Sequence, residues 1–132
     1  MKLKANERID DLQFKGLQII QNKNAFCFGI DAVLLSHFAS SKGKMNTMVD
    51  LCSGTGIIAI LLAAKVSCQK IYAVEIQEEM AEMAKRSVLL NQLEDKIEVV
   101  QKDLKEMDKL FGKAWADAVT VNPPYKKVGS GI

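Results

Sequence analysis

Between residues 47 and 121 the chain alternates two kinds of segment, and this alternation limits its fold more than any other feature. Segments 47–52, 70–75, 96–101 and 117–121 are short and rich in β-formers, as buried strands are. Between them, 55–65, 78–91 and 104–111 read as helices, with Met80, Met83, Ala84 and Val88 on one face of 78–91. Parallel neighbours cannot be joined by a tight turn and need a crossover, so strands separated by helices predict βαβ units. The expected class is α/β, a doubly wound parallel sheet. Upstream, the apolar-rich runs 17–21 and 25–28 flank Asn22, Lys23 and Asn24 and predict a hairpin with a polar turn. Asp31 stands where an N-cap would, ahead of a short helix through Ala39. No repeat or linker divides the chain, and the expected organisation is an N-terminal hairpin and helix in 1–45 preceding a core in 46–132.

Composition narrows the functional classes. Hydrophobic residues make up 48% and charged residues 26% of the 132, which predicts a folded core. Eighteen basic against sixteen acidic residues leave a net charge of +2, which permits a nucleic-acid partner without demanding one. The charged start lacks the apolar stretch of a signal peptide and no later run is long enough for a span, so a cytoplasmic protein with no membrane partner is expected. Cys27, Cys52 and Cys68 are odd in number and contain no C-x-x-C pair, which predicts neither a disulfide framework nor a metal site. His37, among Leu34, Leu35 and Phe38, reads as a packed helix residue rather than a base.

The first core strand runs into Cys52-Ser53-Gly54-Thr55-Gly56, a glycine turn at a strand's carboxyl end, where parallel sheets bind ligands. Gly54 and Gly56 permit positive φ and close approach, and N–H groups at the following helix start suit negative charge. Gly54-x-Gly56-x-x-Ala59 also fits a dinucleotide fingerprint, and a plain tight turn is the bland alternative. Glu75, nineteen residues after Gly56, suits ribose hydroxyls in either enzyme reading. Asp50 separates them. A carboxylate in an apolar strand, four residues before Gly54, is costly to bury unless donors or a cationic ligand are near. S-adenosylmethionine carries an ammonium and a sulfonium, so D-x-x-x-G-x-G favours that cofactor over a nicotinamide.

Asn122-Pro123-Pro124-Tyr125 follows the fourth core strand, and in the usual strand order this loop faces the same crevice. The prolines stiffen the backbone and leave carbonyls as acceptors. The Asn122 side-chain oxygen and the Pro123 carbonyl can hold both hydrogens of a planar amino group and let its nitrogen pyramidalise toward a methyl sulfonium, while Tyr125 stacks on a base. No strong general base is then needed. A rigid turn without chemistry is the alternative, disfavoured by the loop's company.

With these residues assembled, the chain resembles the Rossmann-like class I amino-methyltransferases with an N-P-P-Y signature. More narrowly it is similar to the small methyltransferases that modify the N6 amino group of an anticodon-loop adenosine in valine tRNA. The narrower likeness rests on residues 6–12, on Phe26-Cys27-Phe28-Gly29-Ile30-Asp31-Ala32-Val33-Leu34-Leu35, on residues 49–56 and on the N-P-P-Y loop, and covers essentially the whole chain. It implies S-adenosylmethionine as cofactor and RNA, through a tRNA anticodon loop, as partner. It also implies that Phe28, Gly29 and Asp31 close over the methionine end, that Asp50, Cys52, Ser53, Gly54 and Gly56 form the cofactor loop, and that Glu75 with Ile76 holds the ribose side. Asp103 with Leu104 would meet the cofactor adenine, and Asn122 would serve both cofactor and acceptor. Asp103 capping the next helix is the structural alternative. Cys52 is a departure, standing where many such enzymes have the loop's first glycine. A second departure is that four sheet strands are counted where the family has seven, so the chain is expected to be a truncated form lacking C-terminal strands and inactive alone, or to cover its last strand's edge in a homodimer. A protein glutamine, a ribosomal guanine, or no catalysis at all, as in a cofactor- or RNA-binding module, remain the alternative functions.

Overall fold

The computed structural model describes residues 3–23, 30–40, 45–106 and 116–121. Four strands form one parallel sheet: β3 (Met45–Leu51), β4 (Cys68–Val74), β5 (Ile97–Val100) and β6 (Ala118–Val121), in the order β5-β4-β3-β6. Helix α2 (Ile57–Lys65) joins β3 to β4 and α3 (Glu78–Leu90) joins β4 to β5. The expected α/β doubly wound sheet is therefore present. The chain steps outward from β3 to β5 and then returns to pair β6 on the other side of β3. In open parallel sheets ligands bind at the carboxyl ends of the strands where such a reversal occurs, here between β3 and β6.

The central strands β3 and β4 bury successive residues on both faces, as covered strands of a parallel sheet do. Met48 and Ile71 are completely buried, as are Ile60 and Leu62 of α2. Each such side chain contributes about 1.5 to 3 kcal/mol. The carbonyls left over at the carboxyl end of α2 are met by lysines: Lys96 Nζ donates to Ala63 O (2.8 Å) and Val66 O (3.1 Å), and Lys15 Nζ donates to Ala64 O (3.0 Å). Asp117 anchors the start of β6. Its Oδ2 accepts the N–H groups of Asn46 (2.7 Å) and Thr47 (3.0 Å), and these bonds hold its carboxyl below the usual range.

Two upstream expectations change. The run 17–21 is a strand, β2 (Gln18–Asn22), but its described partner is the charged segment β1 (Glu7–Asp11), antiparallel with Ile9 opposite Ile20. The other expected arm, 25–28, lies outside the described residues. β1 escapes a hydrophobic-pattern reading because Ile9 is its one apolar residue; what draws Glu7 inside is an ion pair. Arg86 of α3 grips Glu7 with Nη1 on Oε1 (2.7 Å) and Nη2 on Oε2, and reaches Glu82 as well. α1 (Ile30–Ser40) starts one residue before Asp31, which places Asp31 in the first turn rather than at the cap. His37 is exposed, not packed: α1 buries Ala32, Ser36 and Ala39, while Leu34 and Phe38 face outward. Helix 104–111 is described only as the 3-10 turn Leu104–Glu106.

Candidate functional site

β3 and β6 pair in parallel with Asp50 opposite Thr120, and on the other flank Asp50 faces Ala73 of β4. Asp50 is 0% exposed. Thr120 Oγ1 donates to its Oδ1 at 2.7 Å, whereas Oδ2 is buried without a hydrogen-bond partner. Burial pushes the Asp50 carboxyl up to about 7; the nearby charge of Glu75 adds to the rise and the Thr120 bond opposes it. Ser53, three residues on, is also buried, and its Oγ is unpartnered too. Buried polar atoms are nearly always satisfied. Both unpartnered atoms belong to the carboxyl end of β3 and the loop that follows it.

The loop between β3 and α2 turns through three left-handed residues, Cys52 (φ 56), Gly54 (φ 56) and Gly56 (φ 90). Cys52 takes a left-handed conformation that glycine would take freely and bears the strain of a side chain there. Gly56 has a second constraint: a Cβ would stand 3.3 Å from Ala84 Cβ on α3, so the glycine is what lets α3 lie against the loop. Burial raises the Cys52 thiol, helped by Glu75 and Asp50. It is no ready nucleophile.

The loop's N–H groups are less open than the sequence suggests. Gly54 N–H donates to Glu75 Oε1 (2.8 Å), Gln77 N–H donates to Glu75 Oε2 (3.0 Å), and Gly56 N–H donates to Ser53 O (2.9 Å). Glu75 is thereby fixed, buried, between the loop and the end of β4, with lone pairs to spare because a carboxylate accepts about four hydrogen bonds. What remains for negative charge is the start of α2, which has no side-chain cap and no acid in its first turn. Ile76, next to Glu75, is 59% exposed, a large apolar surface at the mouth. Asp103, beyond the end of β5, receives Lys105 N–H on Oδ1 (3.0 Å) and so caps the 3-10 turn that Leu104 opens.

Asp50, Cys52, Ser53, Gly54, Gly56, Glu75 and Ile76 thus gather around the ends of β3 and β4. Asp31 is placed by its backbone alone, and Phe28, Gly29, Asn122, Pro123, Pro124 and Tyr125 lie outside the described residues. β6 ends at Val121, so the chain enters the N-P-P-Y loop from beside Asp50. Thr120 was not legible from the sequence. Only the β3–β6 register identifies it, although an acid buried in a strand signals that some neighbour must donate to it. Among the described residues no group of His, Cys, Asp and Glu could hold a metal ion, and no helix is long and apolar enough to cross a membrane.

The family model of the methyltransferase small domain matches residues 16–130. The tRNA1(Val) (adenine(37)-N6)-methyltransferase of Bacteroides thetaiotaomicron is 36% identical over 117 residues, which cover 86% of this chain and 46% of that protein. Its namesake from Histophilus somni strain 2336 is 34% identical over 125 residues, covering 90% and 50%. The chain spans about half the length of these curated relatives. Among solved structures, Methanocaldococcus jannaschii Trm5 in complex with adenosine superposes with a TM-score of 0.71 at 23% identity, over 95% of this chain and 37% of its own. TYW2 from M. jannaschii, in complex with AdoMet, gives 0.65 at 18% identity over 80% and 48%. At such identities the likeness is one of fold.

Proposed function

Because the chain belongs to the methyltransferase small-domain family, we propose that it works as an S-adenosylmethionine-dependent methyltransferase on the N6 amino group of an adenosine in tRNA, at the anticodon loop. The observation that carries this reading is Asp50, a fully buried carboxylate with one oxygen unpartnered, one residue before the carboxyl end of β3. A cation there repays the burial, and a cofactor with an ammonium supplies it. The names of the curated relatives support tRNA adenine as acceptor.

S-adenosylmethionine supplies an electrophilic methyl group. In this reading Asp50 Oδ2 and Ser53 Oγ take its ammonium, and the uncapped start of α2 favours its carboxylate. Cys52, Gly54 and Gly56 shape the turn that lets the backbone approach, and Phe28, Gly29 and Asp31 cover the methionine end. Glu75 turns its spare lone pairs to the ribose hydroxyls, Ile76 lies against the adenine, and Asp103 with Leu104 bounds the adenine's far edge. Asn122 and the Pro123 carbonyl accept the two hydrogens of the target amino group, Pro124 holds that carbonyl in place, and Tyr125 stacks on the target base. Residues 46–132 then carry the cofactor-binding core and 1–45 form its N-terminal flank. A cytoplasmic enzyme is the natural setting for tRNA as substrate. Among the described residues β6 is the outermost strand on its side of the sheet, with Val119 and Val121 exposed, and in a homodimer it is where a second copy would pair.

The test is transfer of labelled methyl from S-adenosylmethionine to tRNA lacking the modification, followed by nucleoside analysis. Label in N6-methyladenosine, lost in Asn122→Ala, is the expected result. Label in guanosine, in protein glutamine, or nowhere overturns it.

A further inference from the structure

Thr120 has no part in the chemistry assigned above, yet it is the one described donor on Asp50. It sits in β6, two residues before Asn122, and is itself buried. Its hydroxyl occupies one carboxylate oxygen and leaves the other buried without a hydrogen-bond partner. On its other flank Asp50 faces Ala73, whose side chain cannot donate, so Thr120 alone among the described side chains opposes the burial that favours the protonated, uncharged form. The described ionisable groups near Asp50 are Glu75 at the end of β4 and Cys52 in the loop; both carry a negative or neutral charge, so neither holds Asp50 ionised.

Resting on the cofactor reading above, we propose that Thr120 is a positioning residue for cofactor specificity: by holding Asp50 Oδ1 it leaves Oδ2 for the ammonium of the cofactor's amino-acid end. The selectivity so created is for ligands that carry that ammonium. Nucleosides of the same shape without an amino-acid end gain nothing from Thr120.

The test compares binding of S-adenosylhomocysteine, which has the ammonium, with 5′-methylthioadenosine, which lacks it, by calorimetry. Thr120→Val weakens the first about tenfold, the scale of a hydrogen bond to a charged group, and leaves the second within about twofold. The fall in affinity for S-adenosylhomocysteine on acidification moves to higher pH in Thr120→Val, and Thr120→Ser restores both affinity and pH profile. Thr120→Ala gives the same ligand ratio should valine disturb the strand. Equal losses for both ligands, or no change for either, overturn the positioning role while the cofactor reading stands. Wild-type protein that binds neither ligand overturns both.

Discussion

Glu7 in β1 and Asp50 in β3 are both strand carboxylates removed from water, but their surroundings are opposite. Glu7 receives two bonds from Arg86 and one from the Lys4 N–H, and the Arg86 bonds above all hold its carboxyl down to about 2 from the usual 4.5. Nearby, Ile20 N–H finds Ser87 Oγ at 2.9 Å, and Asn91 both accepts from Gln18 N–H and donates to its carbonyl. Asp50 has one donor, and its carboxyl rises to about 7. The hairpin's seat on α3 is complete in itself, whereas the end of β3 leaves Asp50 Oδ2 and Ser53 Oγ without partners, which the proposed reading assigns to a cofactor. That is the usual relation between a functional site and the scaffold that carries it.

The comparison is broken most sharply at the hairpin. Arg86→Ala strands Glu7 as a buried, unpaired charge and is expected to cost about 3 kcal/mol in urea unfolding. A cost near zero would mean that the hairpin docks without the pair. Asp50→Asn is expected to do the reverse. Asp50's folded value lies above the unfolded value of about 3.9, so the folded state holds the proton and its penalty is absent below pH 4, grows from 4 to 7 and is full above 7. Asp50→Asn therefore stabilises the ligand-free protein at pH 8, by about 2 to 4 kcal/mol, with the gain shrinking toward pH 4, and abolishes tight cofactor binding. Thermal melts across that range read the effect; a destabilised Asn variant at pH 8 would contradict the unfinished site.

Gly56→Ala sharpens the account of the loop. A Cβ at φ 90 and 3.3 Å from Ala84 is expected to cost about 2 kcal/mol and to shift α3, seen as a lower urea midpoint. The smallest effect is Ser87→Ala, which leaves the Ile20 N–H buried without an acceptor and costs about 1 kcal/mol, with cofactor affinity unchanged.

How much of this was legible follows from the same contrast. The core strands and α2 and α3 follow hydrophobic periodicity and lie within a few residues of their expected bounds, and Asp50 was conspicuous because an acid does not belong in an apolar strand. β1 was hidden for the converse reason, since its inward residue is Glu7 and the arginine that draws it in lies in α3, far along the chain. Thr120 was hidden because register, not composition, puts it opposite Asp50. The large apolar residues of α1 misled in another way: Leu34 and Phe38 face outward while small residues pack on α2, so size did not indicate the buried face.

The central claim is that Asp50 awaits a cation, and proton release on ligand binding measures it directly. Calorimetric titration of S-adenosylhomocysteine at pH 7, in buffers of different ionisation enthalpy, is predicted to show net proton release, because a carboxyl raised by burial is driven to its anion when the ammonium arrives. The release should vanish in Asp50→Asn. Binding with no proton released, or an Asn variant that binds as tightly and releases as much, would contradict the account.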